Sequence, residues 1–373
     1  MNDAPFNNKA AFFDLPAIDA LARRLKIDPH RVRRARVAYF KKSLSADAAL
    51  AELPPEVRDA FAAAVAFETL TDIRRFDSQI DGASKLISRT TAGYAIETVI
   101  LRPSTGRTAL CVSSQVGCAA ACAFCATGQM GVAKSLSAAE ILDQVVQANR
   151  LLAAEDRRVR NIVFMGMGEP LHNEAALHET LATLGASQGF DHPPSRTLVS
   201  TVGVPEPLLR TAERFPTVNF ALSLHAASQA TRETIIPLAK RYSLDVLRSA
   251  VEQLNAMQPE RTSVMIEYLM LDGVNDSDAD AALLLDWLQG LRVHVNLIPF
   301  NPIATAPHLQ SSPRHTIEAF GVIIRNAGHP TTIRYSLGRD IDAACGQLVR
   351  DENLAIAKSL RQVASQDLSA AGP

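Results

Sequence analysis

The segment GCAAACAFCATG, residues 117–128, carries three of the five cysteines of the chain. Cys118, Cys122 and Cys125 follow the spacing Cys-x-x-x-Cys-x-x-Cys. Three thiolates in a tight loop can hold three irons of a cubane iron–sulfur cluster, and no fourth cysteine or histidine lies close by. An iron without a protein ligand accepts nitrogen and oxygen donors, such as the amine and carboxylate of S-adenosylmethionine (SAM).

Two other interpretations of this cysteine segment exist. A structural zinc site requires a fourth ligand, which the neighbouring sequence does not supply. A redox Cys-x-x-Cys motif has no use for Cys118. The spacing therefore favours one 4Fe-4S cluster per chain, held by Cys118, Cys122 and Cys125.

Around this segment, from about residue 107 to 340, short apolar strands alternate with amphipathic helices. The candidate strands are ALCVSS, NIVFMGM, RTLVST, VNFALSL, SVMIEYLML and VHVNLIPF. Candidate helices lie at 138–152, 174–186, 244–257 and 278–289, and Ser137 and Ser243 are candidate N-caps. Six such alternations predict parallel strands joined by right-handed crossovers. Chemistry in such sheets collects at the carboxyl ends of the strands, where every motif of this region lies.

The flanking regions differ from this pattern. Residues 1–85 predict a small helical domain, in which segment 23–42 holds nine basic residues and one acid, a local net charge of +8. Such a segment is either a phosphate contact or a solvated helix face. Alternation around Thr91-Ala92-Gly93 predicts a hairpin linker at 86–106. We place a barrel core at 107–340 and a helical tail, which carries Cys345, at 341–373.

Composition restricts the class of protein. Of 373 residues, 47% are hydrophobic and 21% are charged, which is ordinary for a globular chain with a real core. The formal net charge of −1 means that any RNA contact must come from a local patch. The N-terminus resembles no secretory signal, and the longest apolar run, 60–67, is too short to cross a bilayer. We expect a cytoplasmic protein without disulfide scaffold.

Taken together, the motifs resemble a known family. CVSSQVGC followed by CATG is similar to the radical-SAM enzymes, specifically to the RNA adenine methyltransferases of the RlmN and Cfr type. MGMGEP, SLHA, IPFNP and DIDAACGQL match this family in the same order, and the resemblance extends from about residue 81 to 350. It implies an α/β fold: a partial (β/α)6 TIM-like barrel of the radical-SAM type with a small N-terminal helical domain.

The resemblance also implies a SAM site at the strand ends. Each polar residue concerned could instead cap a strand or form a turn, but their recurrence after successive strands favours one shared pocket. The residues to which the resemblance assigns SAM contact are Gly168 and Glu169 in MGMGEP, Ser200 in VSTVG, Ser223, Leu224 and His225 in SLHA, and Asn301 in IPFNP.

Two cysteines, Cys111 and Cys345, remain outside the cluster motif, and both could simply be small buried residues. Carbons 2 and 8 of adenine are not nucleophilic, so direct methyl displacement from SAM cannot reach them. In the resembled family, one SAM methylates a cysteine and a second SAM yields the radical that activates this methyl group. The resemblance implies that Cys345 is the methyl carrier and Cys111 the resolving thiol, with a transient disulfide between them. Glu97 matches the proposed proton acceptor, unless it is an exposed strand carboxylate.

The resemblance leaves the target carbon open. GEP, SLHA and IPFNP resemble the carbon-2 branch, which modifies 23S ribosomal RNA at the peptidyl-transferase centre and sometimes tRNA. EYLMLDGVND favours the carbon-8 branch, as does Leu337, because the carbon-2 branch commonly has Arg before Gly338. With this core beside it, segment 23–42 is expected to bind RNA.

Two further function classes are possible: a radical-SAM modifier of a peptide or small molecule, and a non-catalytic iron–sulfur protein that binds RNA or carries electrons. The first class frequently carries extra cluster cysteines, which this chain lacks once Cys111 and Cys345 are excluded. We expect a SAM-dependent RNA methyltransferase that acts as a monomer, away from membranes, with a reductant such as flavodoxin or ferredoxin.

Overall fold

The computed structural model describes residues 9–347 and Asn353, and within them strands and helices alternate along most of the chain. The strands are β1 (Ala10–Ala11), β2 (Val65–Ala66), β3 (Leu70–Asp77), β4 (Ala83–Thr90), β5 (Ala95–Leu101), β6 (Ala109–Cys111), β7 (Gln115–Cys118), β8 (Gly131–Ser135), β9 (Asn161–Phe164), β10 (Thr197–Thr201), β11 (Asn219–Ser223), β12 (Val264–Met270), β13 (Val293–Pro299) and β14 (Thr331–Ile333). The α-helices are α1 (Leu15–Arg24), α2 (Pro29–Arg36), α3 (Ala46–Leu50), α4 (Pro55–Ala64), α5 (Ala138–Ala153), α6 (Glu174–Gly185), α7 (Pro205–Arg214), α8 (Gln229–Ile235), α9 (Leu244–Met257), α10 (Asp278–Leu288) and α11 (Arg314–Asn326).

Six strands, β6 and β9 to β13, lie side by side in chain order and pair in parallel. The short strand β14 adds a seventh parallel strand beside β13. Helices connect most of these strands, so the predicted partial (β/α)6 barrel is confirmed. All six candidate strands are present, although each is shorter than its apolar run. Their carboxyl ends meet at one edge of the sheet, as parallel strands require.

Three antiparallel strands extend this sheet beyond β6, in the order β5, β4, β3. The predicted turn around Thr91-Ala92-Gly93 does join two strands, β4 and β5. The helical prediction for residues 1–85 is wrong beyond Ala64, because β2, β3 and the first three residues of β4 lie in that range. The strand β3, LTDIRRFD, is exposed at seven of its eight residues, so it lacks the apolar alternation that marks a half-buried strand.

Helix starts follow the capping chemistry that the sequence indicates. Ser137 and Glu140 form a capping box at the start of α5, and the Ser243 side chain accepts a hydrogen bond from the Val246 amide at the start of α9. A second capping box, from Ser277 and Asp280, starts α10. The four predicted helices are therefore present, and α7, α8 and α11 are additional.

An aromatic cluster fills the N-terminal helical part. Phe12, Tyr39, Phe40, Phe61 and Phe67 are buried and contact one another, and Phe40 also packs on Phe190 of the barrel. This packing holds the helical part against the barrel.

The predicted helical tail, residues 341–373, lies outside the described residues from 348 onward, apart from Asn353. Asn353 is buried, and its side chain exchanges two hydrogen bonds with the backbone of Ala95 on β5. Among the described residues, no helix combines the length and apolarity needed to cross a bilayer.

Candidate active site

The cysteine segment forms a tight loop between β7 and β8. The Cys125 amide donates to the Cys122 carbonyl at 3.2 Å, and the Gly128 amide donates to the Cys125 carbonyl at 3.1 Å. The Ala123 amide donates to the Ile235 carbonyl at 2.9 Å, which fixes the loop to the end of α8. The three predicted cluster cysteines consequently line one cavity at the carboxyl ends of the strands, here called the inner cavity.

The surroundings of these thiols fit an iron–sulfur cluster. Burial raises the pKa of Cys118 to about 12 and raises the pKa values of Cys122 and Cys125 as well. Free thiolates are thus disfavoured, and iron binding is what would remove their protons. Within the described part of the chain, no three His, Cys, Asp or Glu side chains converge on a point suited to a single metal ion. A cubane binds each thiolate through a different iron, so the three sulfurs need not converge.

Five of the seven predicted SAM-contact residues line the same inner cavity. They come from the ends of three neighbouring strands: Gly168, Glu169, Ser200, Ser223 and His225. Since the cysteine loop forms another wall of this cavity, the structure brings the predicted cluster cysteines and five predicted SAM-contact residues together.

Gly168 and Glu169 follow β9 in a conformation that depends on glycine. Gly168 has φ +98°, and a Cβ at this position would lie 2.5 Å from the Gln115 Cβ. The buried Glu169 carboxylate accepts hydrogen bonds from the amides of Leu171 at 3.1 Å and Val202 at 2.9 Å. Burial nevertheless raises the pKa of Glu169 to about 7. A carboxylate fixed in this way can accept a hydrogen bond from the SAM amine.

His225 is also held rigidly. It has φ +59°, unusual outside glycine, and its Nδ1 accepts a hydrogen bond from the Leu269 amide at 3.0 Å. Burial, with the nearby Arg232 cation, lowers the pKa of His225 to about 3. The imidazole is therefore neutral and carries its proton on Nε2. Its ring packs edge-on against Phe124 of the cysteine loop.

The other two predicted contacts, Leu224 and Asn301, do not line the inner cavity. Leu224 is fully buried, and its amide donates to the Glu267 carbonyl. The Asn301 side chain donates to Ser336 Oγ at 2.9 Å and to the Cys345 carbonyl at 3.3 Å. Asn301 therefore binds the segment that carries Cys345.

A second cavity, the outer cavity, lies beside the first and contains Cys111 in its wall. Three residues line both cavities and so form the wall between them: Met165, Arg334 and Cys345. Cys345 is exposed, whereas Cys111 is buried, and both thiols are free. Burial, together with the nearby Cys345, raises the pKa of Cys111 to about 12.

The segment that carries Cys345 is fixed to the cysteine loop through its neighbour. Gly346 has φ +89°, and its carbonyl accepts a hydrogen bond from the Ala126 amide at 2.7 Å. A Cβ at Gly346 would lie 3.0 Å from the Phe124 carbonyl, so glycine permits this close approach.

Glu97 lies on β5, where it is buried rather than exposed. The Lys85 Nζ lies 3.6 Å from Glu97 Oε1 and 3.3 Å from the Asp342 carbonyl, three residues before Cys345. Glu97 lines neither cavity, although its charge acts on Cys111. Lys85 thus links the predicted proton acceptor to the segment of the predicted methyl carrier.

Sequence reasoning missed two charged residues of the site. Glu267 lies on β12 and lines the inner cavity; its Oε2 accepts a hydrogen bond from the Asn296 side chain at 2.8 Å. A single acid inside the apolar strand VMIEYLM was the signal that could have identified it. Arg334 follows β14, which has three residues, and no pattern in the sequence marks it.

The basic segment 23–42 forms a separate surface. Eight of its nine basic side chains are exposed. The ninth, Arg36, is buried, where it donates to the Leu15 carbonyl and pairs with Asp19. The segment therefore presents exposed cations, of which Arg34 pairs with Glu52 and Lys41 with Asp191, whereas the buried Arg36 supports the helical part.

Comparisons with known proteins identify the family of the chain. The family model described as the Radical SAM superfamily matches residues 112–285. The chain is 52% identical to a probable RNA methyltransferase of Rhodopirellula baltica, over 96% of this chain and 93% of that protein. It is 40% identical to a probable dual-specificity RNA methyltransferase RlmN of Thermus thermophilus, over 85% and 88% of the two chains.

A comparison with solved structures indicates the same superfamily. A radical SAM methyltransferase from Sphaerobacter thermophilus is 38% identical and superposes with a TM-score of 0.85, covering 90% of this chain and 98% of that one. The chain belongs to the RlmN-type RNA methyltransferase family of the radical SAM superfamily.

Proposed function

We propose that this enzyme methylates carbon 2 of an adenine base in RNA, through a methyl group carried on Cys345. The proposed substrate is the peptidyl-transferase-centre adenine of 23S ribosomal RNA, with tRNA as a second substrate. The names of the relatives, RNA methyltransferases of dual specificity, support an RNA substrate with more than one target.

One observation carries the proposal. Cys345 lines both the inner and the outer cavity, so a single thiol faces the SAM-contact residues on one side and Cys111 on the other. A methyl carrier needs this placement, because it must accept the group in one compartment and present it in the other. A thiol buried in a core would face neither.

Cys118, Cys122 and Cys125 would hold the cluster, and Gly168, Glu169, Ser200, Ser223 and His225 would bind SAM. When bound, the cluster supplies the electron that starts the radical chemistry of this superfamily. Glu169 and the neutral His225 provide an acceptor and a donor of fixed direction. Leu269, Ile298 and Phe300 line the same cavity and exclude water from it.

Cys111 would complete the reaction in the outer cavity, which it lines, and Glu97 would act from β5, outside the lining of either cavity. The raised pKa of Cys111 keeps it a thiol until the base has been methylated. Cys111 then loses its proton and attacks the Cys345 sulfur of the covalent enzyme–base adduct. A disulfide forms between the two cysteines, the bond from sulfur to the methylene carbon on the base breaks with its electron pair on carbon, and this carbon takes up a proton to complete the methyl group. Glu97, whose Oε1 lies 3.6 Å from Lys85 Nζ, is the proposed acceptor of the proton from the adenine ring.

Carbon 8 is the second candidate target, favoured by the segment EYLMLDGVND and by Leu337. Leu337, which stands where the carbon-2 branch commonly has Arg, lines the outer cavity. A leucine there offers the base no hydrogen bond, in contrast to an arginine.

Mass spectrometry of nucleosides tests the proposal. Ribosomal RNA and tRNA from cells that lack this enzyme would be treated with the reconstituted protein, SAM and a reductant. We expect 2-methyladenosine. Formation of 8-methyladenosine would move the target to carbon 8, and release of deoxyadenosine without any methylated nucleoside would contradict an RNA substrate.

A further inference from the structure

Arg334 occupies the wall between the two cavities. It follows β14, and its amide donates to the Leu297 carbonyl on β13 at 2.8 Å, which fixes the backbone. Its side chain lines the inner and the outer cavity together with Met165 and Cys345. The guanidinium therefore lies beside the proposed methyl carrier.

The hydrogen-bonding capacity of this guanidinium is almost unused. Its Nη1 lies 3.4 Å from the Met165 sulfur, and a thioether is a weak acceptor. In the described part of the chain, this sulfur is the one side-chain partner of Arg334, and no carboxylate lies within ion-pair distance of it. A guanidinium has five N–H donors, and donors enclosed by protein require acceptors. Donors that line cavities are available to a ligand.

The group stays charged in this position. Burial disfavours the cation, but the surrounding Cys345, Glu267 and Cys111 outweigh burial and raise the pKa of Arg334. A permanent cationic donor thus lies between the two thiols and the carboxyl of Glu267.

We propose that Arg334 donates a hydrogen bond to the ring nitrogen of adenine that adjoins the methylated carbon. This inference rests on the proposed function. The target carbon must meet the methyl group on Cys345, so the adjoining ring atoms come next to Arg334. Carbon 2 lies between N1 and N3, and carbon 8 is bonded to N7, and each of these nitrogens is an acceptor. The bond orients the base and identifies the edge that enters the outer cavity.

The test is a double-mutant cycle between protein and RNA. Cluster-loaded enzyme without SAM binds a synthetic RNA stem-loop whose one loop adenosine is replaced by 1-deaza-, 3-deaza- or 7-deazaadenosine. In the wild-type enzyme, one replacement should weaken binding by about ten-fold, the effect of a hydrogen bond to a charged group. In Arg334→Met, the same replacement should have almost no effect. Weaker binding with 1-deaza- or 3-deazaadenosine indicates carbon 2 as the target, and weaker binding with 7-deazaadenosine indicates carbon 8.

Controls separate this idea from its alternatives. Arg325→Met, at an exposed arginine of α11 that lines neither cavity, should retain the wild-type response. Arg334→Lys keeps a charged donor group and should therefore retain part of the loss of binding that the base replacement causes. The iron content of each variant checks that it is folded. If each of the three deazaadenosines weakens RNA binding equally in the wild type and in Arg334→Met, the proposal is overturned, even where the enzyme still methylates RNA. If Arg334→Met only prevents methylation of Cys345 and leaves the response to the base replacements unchanged, Arg334 acts on the Cys345 thiol and the proposal is overturned.

Discussion

Cys345 lines both cavities of the barrel, whereas Cys111 lines the outer cavity alone. The two thiols also differ in access, since Cys345 is exposed and Cys111 is buried. These differences match two distinct tasks. Cys345 shares a cavity with the predicted SAM-contact residues, whereas Cys111 does not.

The cluster assignment predicts iron in place of zinc. Protein purified anaerobically should be brown and contain about four irons per chain. Replacing Cys118, Cys122 or Cys125 with Ala should abolish iron binding and SAM cleavage together, because each thiolate serves one iron. Metal analysis by mass spectrometry decides the matter: stoichiometric zinc without iron would refute the cluster.

The exposed cations of segment 23–42 should contribute phosphate contacts. Changing Arg31, Arg33 and Arg34 to Glu should weaken RNA binding and flatten the slope of log affinity against log salt by about two to three units. Arg36 is left unchanged because it is buried. Filter binding at several salt concentrations measures this slope.

A matched triple reversal serves as the control for that surface. Arg210, Arg314 and Arg325 are exposed on α7 and α11, outside the segment. The control should retain the wild-type slope. If both triple variants behave alike, the segment is a solvated helix face.

The site illustrates what a sequence can and cannot reveal. The cluster loop could be predicted because ligand spacing is local, and the six parallel strands because apolar runs mark buried strands. The hydrogen-bond partners of Asn301 could not be predicted, since Ser336 and Cys345 lie 35 and 44 residues further along the chain. Arg334 was missed for the same reason: only the fold brings it beside Cys111.

Asn301 should act through the Cys345 segment. Asn301→Asp removes the two donated hydrogen bonds and places a carboxylate beside the Cys345 carbonyl. We expect methylation of Cys345 to fall about ten-fold while SAM affinity changes little. Intact-protein mass spectrometry and equilibrium dialysis measure the two quantities. A large loss of SAM affinity would instead favour the direct SAM contact that the family resemblance implies.

Lys85 should keep Glu97 ready to accept a proton. Lys85→Met removes the cation 3.6 Å from the buried Glu97 carboxyl, so product formation should fall and its profile against pH should differ from that of the wild type. Lys85→Arg should keep the wild-type profile. Thermal unfolding controls for lost stability, because removing one partner of a buried pair typically costs about 3–5 kcal/mol. An unchanged profile in Lys85→Met would show that the pair is structural.

The central claim is that Cys345 carries the methyl group and Cys111 releases the product. Cys345→Ala should retain iron and SAM binding but form neither methylcysteine nor methyladenosine. In Cys111→Ala, Cys345 should still be methylated and its methyl carbon should still be joined to the base. A covalent enzyme–RNA species should therefore accumulate. The most direct measurement is denaturing gel electrophoresis of Cys111→Ala after turnover with RNA. The account predicts a shifted band that ribonuclease trims to a short adduct; normal methyladenosine formation without this band would contradict it.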